Sequence, residues 1–278
     1  MLQATLLGLA SAGLHAGWNL AAKQSRDRFL TLWGQFVAAG AIGAVVLAAG
    51  GGIPARAWLF AAVSGLVHVP YVVGLTMAYE RGDFSVAYPV ARGTGALLAT
   101  VGGIAVLDDQ LRWWSLLAIC VVAGGVCLLA AGGRAVHGVG AIPAALLVGV
   151  VIGVYVTNDS HAIRAYDTAL YVFAVFVMIS LVVSVYGVAT GRGPDLVASY
   201  RSGWGRHVCA GAVVVAAYSL GLVAVRWAPV GYVAALRESS VLIAAFVGTR
   251  MLAEGDARKR NVAAALIVTG LVLLVTTR

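Results

Sequence analysis

The chain has 278 residues, 61% of them hydrophobic and 11% charged, with mean hydropathy +0.94 and a formal net charge of +8. An ordinary soluble domain carries about 25% charged residues, so a cytosolic enzyme, a nucleic-acid-binding domain and a disordered chain are excluded. The composition suits a chain immersed in an apolar slab roughly 30 Å thick. Its basic excess then marks loops that hold spans to one side of a bilayer, with no nucleic-acid partner implied.

Apolar runs of about 17–25 residues predict ten spans, near 2–22, 30–49, 57–79, 84–106, 111–131, 140–161, 167–189, 207–226, 230–252 and 260–277. No Lys or Arg precedes Lys23, so the first run reads as a retained span and not a cleaved signal. Runs this long in lipid must be helices, because each backbone polar group has to find its partner within the segment. Gly13 and Gly17, and Gly149 and Gly153, have the spacing of close helix contacts. Trp113 and Trp114 stand where interfacial anchors are expected. The loop near 190–206 is predicted to hold a short interfacial segment around Leu196–Tyr200. Cys120, Cys127 and Cys209 lie in apolar runs and read as buried packing thiols.

Loops opposite the termini carry eleven Lys and Arg, from Lys23 to Arg260, against five on the side of the termini. The positive-inside rule therefore places both termini off the cytoplasmic side of the plasma membrane. Three further arginines, Arg92, Arg237 and Arg250, fall inside predicted spans.

A shift of 145 positions lays the halves of the chain over each other. Arg81 then meets Arg226, Arg92 meets Arg237, Gly103 meets Gly248, Asp109 meets Glu254 and Gly125 meets Gly270. Intramembrane arginine is rare, which gives the match of Arg92 with Arg237 its weight. Five spans per half, an odd number, make the second half enter from the opposite face. The expected fold is an all-α integral membrane protein of ten transmembrane helices in two inverted-topology repeats, residues 1–133 and 138–278. That is an architecture of secondary transporters.

Three segments carry a resemblance. They are Tyr79-Glu80-Arg81-Gly82-Asp83, Tyr88-Pro89-Val90-Ala91-Arg92-Gly93-Thr94 and Ala235-Leu236-Arg237-Glu238-Ser239-Ser240. With His15-Ala16-Gly17-Trp18-Asn19 and Ala228-Pro229, the chain resembles the EamA branch of the drug/metabolite transporter superfamily over its whole length. The resemblance implies ten helices, two five-helix repeats, and export or exchange of small metabolites. The family's Gly-Glu-Arg-type turns read Asp108-Asp109-Gln110 and Ala253-Glu254-Gly255 here. The acid stays and its basic neighbour is missing, so no salt bridge is expected within those turns.

Arg92 and Arg237 each lie roughly 10–13 Å from their own membrane face at 1.5 Å per residue. Their planar forks suit a carboxylate or a phosphate-like oxyanion. Glu238 is expected to neutralise Arg92 across the bundle, to carry a proton, or to bind an ammonium group. Tyr88 shares the helix face of Arg92, and Pro89 between them marks a break of the kind that lines transporter cavities. Pro70, between His68 and Tyr71, does the same in the third span. Trp18, Asn19, His15, His68 and Tyr155 complete the candidate lining. Asp159, taken to sit at the end of the sixth span near a cavity mouth or the interface, joins Glu238 as a candidate for ion or proton coupling.

No P-loop, HExxH, dinucleotide fingerprint or EF-hand loop occurs. A non-enzymatic carrier without metal or cofactor is therefore expected, as a monomer or homodimer whose partners are the lipid bilayer and a small polar solute such as an amino acid or organic acid. The alternatives are a flippase or flippase subunit for a lipid-linked headgroup, and, more remotely, an integral-membrane enzyme.

Overall fold

A computed structural model describes residues 1–131, 140–243 and 257–276. Its elements are α1 (Leu2–Gln24), α2 (Arg28–Gly50), α3 (Ala57–Arg81), α4 (Phe84–Leu107), α5 (Trp113–Ala131), α6 (Ala141–Tyr166), α7 (Tyr171–Ala189), α8 (Gly193–Ala224), α9 (Val230–Arg237) and α10 (Ala257–Thr276). No strand occurs among the described residues.

Local chemistry sets the helix ends. The Asp27 side chain accepts from the Leu30 N–H at 2.9 Å and caps α2, which stops at Gly51 in the left-handed region (φ 81°). Pro70 and Pro89 lie inside unbroken helices, where each withholds one N–H from the carbonyl four residues back. Two elements differ from their predicted spans. First, α8 begins at Gly193, fourteen residues before the expected start, and leaves helical geometry at Gly203 (φ −174°, ψ 53°). The expected interfacial segment, 196–200, belongs to the arm before that bend, and Trp204 beyond it is 66% exposed. Second, α9 ends after eight residues at Glu238, and helical geometry resumes over 239–243. The remainder of the ninth predicted span and the turn holding Glu254 lie outside the described residues.

Six helices are long and apolar enough to cross a membrane: α2, α3, α4 from Val86, α6, α7 and α8. The helix α1 matches them in length, but Gln3, His15, Asn19 and Lys23 dilute it. Shorter apolar stretches occur in α5 and α10. The outer surface is apolar, with Val45, Leu59 and Leu66 more than half exposed, while Arg92, Asp159, Arg237 and Glu238 are buried. Apolar outside and charged within are the properties of a helical membrane protein.

Eight helices close into a ring, in the order α1, α8, α2, α7, α3, α6, α4, α9 and back to α1. The pair α5 and α10 packs beside it against α4 and α9. Small residues permit the close crossings. A Cβ on Gly149 would meet the Thr94 Cβ at 2.5 Å, and one on Gly153 would meet the Leu98 Cβ at the same distance, so this pair does seat α6 on α4. Gly13 and Gly17 have nothing within 4 Å of a notional Cβ. That expected contact is absent from the described residues, because the glycines lie on the outer face of α1. The three cysteines are exposed as well, not packed inside. An apolar run does not distinguish a thiol facing lipid from one facing protein.

Candidate functional site

Arg92 lies on α4, and the break after α9 places Arg237 and Glu238 opposite it. They are 5%, 6% and 1% exposed. Arg92 Nη2 donates to Glu238 Oε1 at 2.8 Å, so the expected neutralisation across the bundle is the geometry observed. Arg237 does not bond to its neighbour Glu238. Its Nη2 lies 3.5 Å from His15 Nδ1, at the limit of a hydrogen bond. Gly221 makes room for it, since a Cβ there would sit 3.2 Å from the Arg237 Cζ. Arg92 Nε, Arg237 Nε, Glu238 Oε2 and Ser160 Oγ are buried without a hydrogen-bond partner among the described residues. All four residues border one void of about 20 Å³. This is a mostly apolar cavity with a few unsatisfied polar groups in its wall, large enough for a water molecule.

A second void, of about 30 Å³, is lined by Trp18, Phe36, Tyr71, Tyr155, Phe176 and Tyr218, with His15 and His68 among them. The His68 ring centroid lies 4.6 Å from that of Tyr155 and 5.3 Å from that of Tyr71, and Phe36 meets it edge-on at 5.9 Å. His68 donates its Nδ1–H to the Ser64 carbonyl at 2.6 Å, one turn back, which leaves Nε2 as an acceptor. His15 is the other tautomer: its Nδ1 accepts from Trp18 Nε1 at 3.3 Å and faces the Arg237 guanidinium. His15 thus links the aromatic chamber to the charged one, and Tyr218 borders both.

Asp159 is not at an interface. The helix α6 continues seven residues past it, and Asp159 is 0% exposed. Its Oδ1 accepts from Tyr171 Oη at 2.6 Å, from Asn158 Nδ2 at 3.0 Å and from Ser64 Oγ; its Oδ2 accepts from Tyr218 Oη. Four helices therefore meet on one carboxylate, and every donor is neutral. The polar run Asn158–Arg164 resembles the end of a span in sequence, yet Asn158, Asp159 and Arg164 find partners on other helices.

Two cations close the ring at its ends. Lys23, in the last turn of α1, donates to the carbonyls of Tyr79 and Gly82 at 2.8 and 2.9 Å, capping α3. Arg164, in the last turn of α6, donates to the carbonyls of Val225 and Ala228 at 2.8 and 3.0 Å, capping α8. It also holds Asp109 Oδ1 at 2.8 Å, while Asp109 Oδ2 accepts from the Val230 N–H. The acid of the turn after α4 therefore has a basic partner, supplied by another helix and not by the turn.

Of the sequence candidates, Arg92, Arg237 and Glu238 meet at the first void, and Trp18, His15, His68 and Tyr155 at the second. Tyr88 lies beside them, donating to Ser240 Oγ at 2.9 Å. Asn19 borders neither void: it donates to the His15 carbonyl and accepts from Tyr79 Oη, both at 2.9 Å, tying α1 to α3. Sequence reasoning missed Tyr218, Tyr71, Phe36, Phe176 and Ser160. Ser64 and His68, four apart, mark one inward helix face; a lone Tyr in an apolar run carries no such signal. Among the described residues no group of three His, Cys, Asp or Glu is placed to hold a metal ion.

No family model matches the sequence, and no curated protein matches it. A solved crystal structure is similar at 18% identity over 99% of this chain and 98% of its own, with a TM-score of 0.72. That likeness extends over the whole fold.

Proposed function

We propose that the chain is a secondary transporter of the plasma membrane, built from ten helices in two inverted repeats, residues 1–133 and 138–278, that carries a small anionic or zwitterionic metabolite by alternating access. The single observation that carries this reading is Arg237, a buried cation with no acid in contact among the described residues, beside a void that Arg92, Ser160 and Glu238 also border. A charge held inside lipid without a counter-ion is costly, and an oxyanion presented to its free Nε would relieve that cost.

Helix packing supports the repeat. Moving each helix five places along the chain exchanges α4–α6 with α9–α1, α3–α6 with α8–α1 and α3–α7 with α8–α2, all of which are packed pairs. The pair α5 and α10 repeats itself in detail: Gly125 lies against Ile267 and the Ala263 carbonyl, and Gly270 against Val122 and the Ala118 carbonyl. Each contact is the other moved by 145 positions. The end caps are a looser counterpart, with Lys23 of α1 on the carbonyls that end α3 and Arg164 of α6 on those that end α8. Both ends are capped, as suits an occluded intermediate between two open states. The sequence resemblance to the EamA branch points the same way.

Reconstituted into liposomes and screened with organic acids and amino acids, the protein should show solute counterflow that Arg237→Gln abolishes while the variant still folds. Counterflow undiminished in Arg237→Gln would remove Arg237 from the site.

A further inference from the structure

We infer that Asp159 takes up a proton together with the carried anion, one for one, and that Tyr218 passes its protonation state to the solute chamber. The inference rests on the transport reading and adds the coupling ion and its stoichiometry.

The first argument is charge. Four charged side chains are buried among the described residues: Arg92, Glu238, Arg237 and Asp159. Arg92 and Glu238 cancel in contact. Arg237 and Asp159 balance each other only at a distance, since no cation lies within ion-pair reach of Asp159 among the described residues. An anion arriving on Arg237 leaves the interior with one excess negative charge. A proton on Asp159 removes it. Net charge in a low-dielectric interior is expensive, so the two ligands favour each other.

The second argument is geometry. The groups facing Asp159 are Ser64 from α3, Asn158 and Tyr155 from α6, Tyr171 from α7 and Tyr218 from α8. His68 on α3 is turned to the Ser64 carbonyl, and Arg92 on α4, packed against α6, and Asp109 in the turn after it are engaged by Glu238 and Arg164. Oδ1 already accepts three donors, whereas Oδ2 has Tyr218 alone. An incoming proton therefore settles on Oδ2. The Oδ2–H then donates to the Tyr218 oxygen, and the phenol hydrogen, displaced from Oδ2, turns into the void that Tyr218 borders with Arg237. No heavy-atom bond changes; the one proton gained comes from water. Tyr218 thus offers a donor to an anion only when Asp159 is protonated. By linkage, the anion in turn raises the affinity for the proton.

The test uses the full-length protein and two probes, methanesulfonate and benzenesulfonate, anions with no titratable proton of their own. Infrared difference spectra taken from acid to alkaline pH should show a carboxyl band that titrates in the wild type and is missing in Asp159→Asn. Liposomes loaded with a pH dye should acidify by one proton per sulfonate taken up. Apparent sulfonate affinity should fall about tenfold per pH unit above the titration. Tyr218→Phe should keep the titrating band but lose this pH dependence, and it carries the test if Asp159→Asn does not fold. Absence of the band overturns the proton site. Sulfonate uptake without a proton overturns the coupling and leaves the transport reading intact. A titrating Asp159 in a protein that moves neither sulfonate overturns joint binding and tells against the transport reading itself.

Discussion

The carboxylate knot on Asp159 and the guanidinium cluster around Arg237 share Tyr218 as a wall, yet they are built on opposite terms. Asp159 is fully buried and fully engaged, receiving donors from four helices. In the other cluster the Nε atoms of both arginines and the second oxygen of Glu238 find no partner among the described residues. A satisfied polar network fixes the geometry of the helices that contribute to it. An unsatisfied one marks where a ligand gains most by arriving, because the protein has already borne the cost of desolvating its walls. The knot therefore fixes the frame and holds the proton, the cluster receives the solute, and substitutions in the two should fail in different ways.

The largest effect falls on the one contact pair within the site. Arg92→Ala or Glu238→Ala strands a buried charge and should cost about 3–5 kcal/mol of stability, read as a lowered Tm in detergent. The double variant Arg92→Met with Glu238→Leu should recover most of that loss, because neither charge is then left alone. Arg237→Gln should behave differently: stability equal to the wild type or higher, and solute affinity lower by about 2–5 kcal/mol, the cost of losing one partner of a buried charge pair. If Arg237→Gln melts as early as Arg92→Ala, Arg237 belongs to the frame, and the contrast between the two clusters fails. On the other side, Tyr171→Phe removes one of four donors from the knot and should cost about 1.5–3 kcal/mol, read as a lowered Tm in detergent.

These contrasts separate what the sequence discloses from what it conceals. Long apolar runs fixed by lipid length are legible, and the helices from α2 to α7 fall where those runs predict them. Charges inside such runs are legible too, because they are rare, and Arg92, Arg237 and Glu238 do converge. The arm at the start of α8 was hidden by Gly191, Gly193 and Pro194, which read as loop although Pro suits a first helical turn. The break at Glu238 leaves no mark, since Ser239 and Ser240 continue the helical pattern. The depth of Asp159 is concealed because the polar residues after it look like a span end until their partners on other helices are known. Tyr218 is concealed for the same reason: its importance comes from what faces it, and that is a tertiary fact.

The smallest predicted effect concerns the ends of the ring, where the same device occurs twice. Lys23 donates to two carbonyls of the α3 terminus; Arg164 donates to two at the α8 terminus and to the Asp109 carboxylate as well. If these caps hold the two gates of an alternating-access carrier, removing one should bias the protein toward opening at that end. A single cysteine replacing Ser160 at the central void, with Cys120, Cys127 and Cys209 changed to serine, reports this through labelling by a membrane-impermeant thiol reagent from each face. Lys23→Gln should raise labelling from the face of Lys23 and lower it from the other. Arg164→Gln should do the reverse. A lost hydrogen bond worth about 1 kcal/mol net shifts a two-state population roughly fivefold. Opposite signs are the informative result, since a cation that merely stabilised the bundle would loosen both faces alike. Labelling that rises from the same face in both variants would assign Lys23 and Arg164 to structure, and the occluded state would then owe its closure to the helices alone.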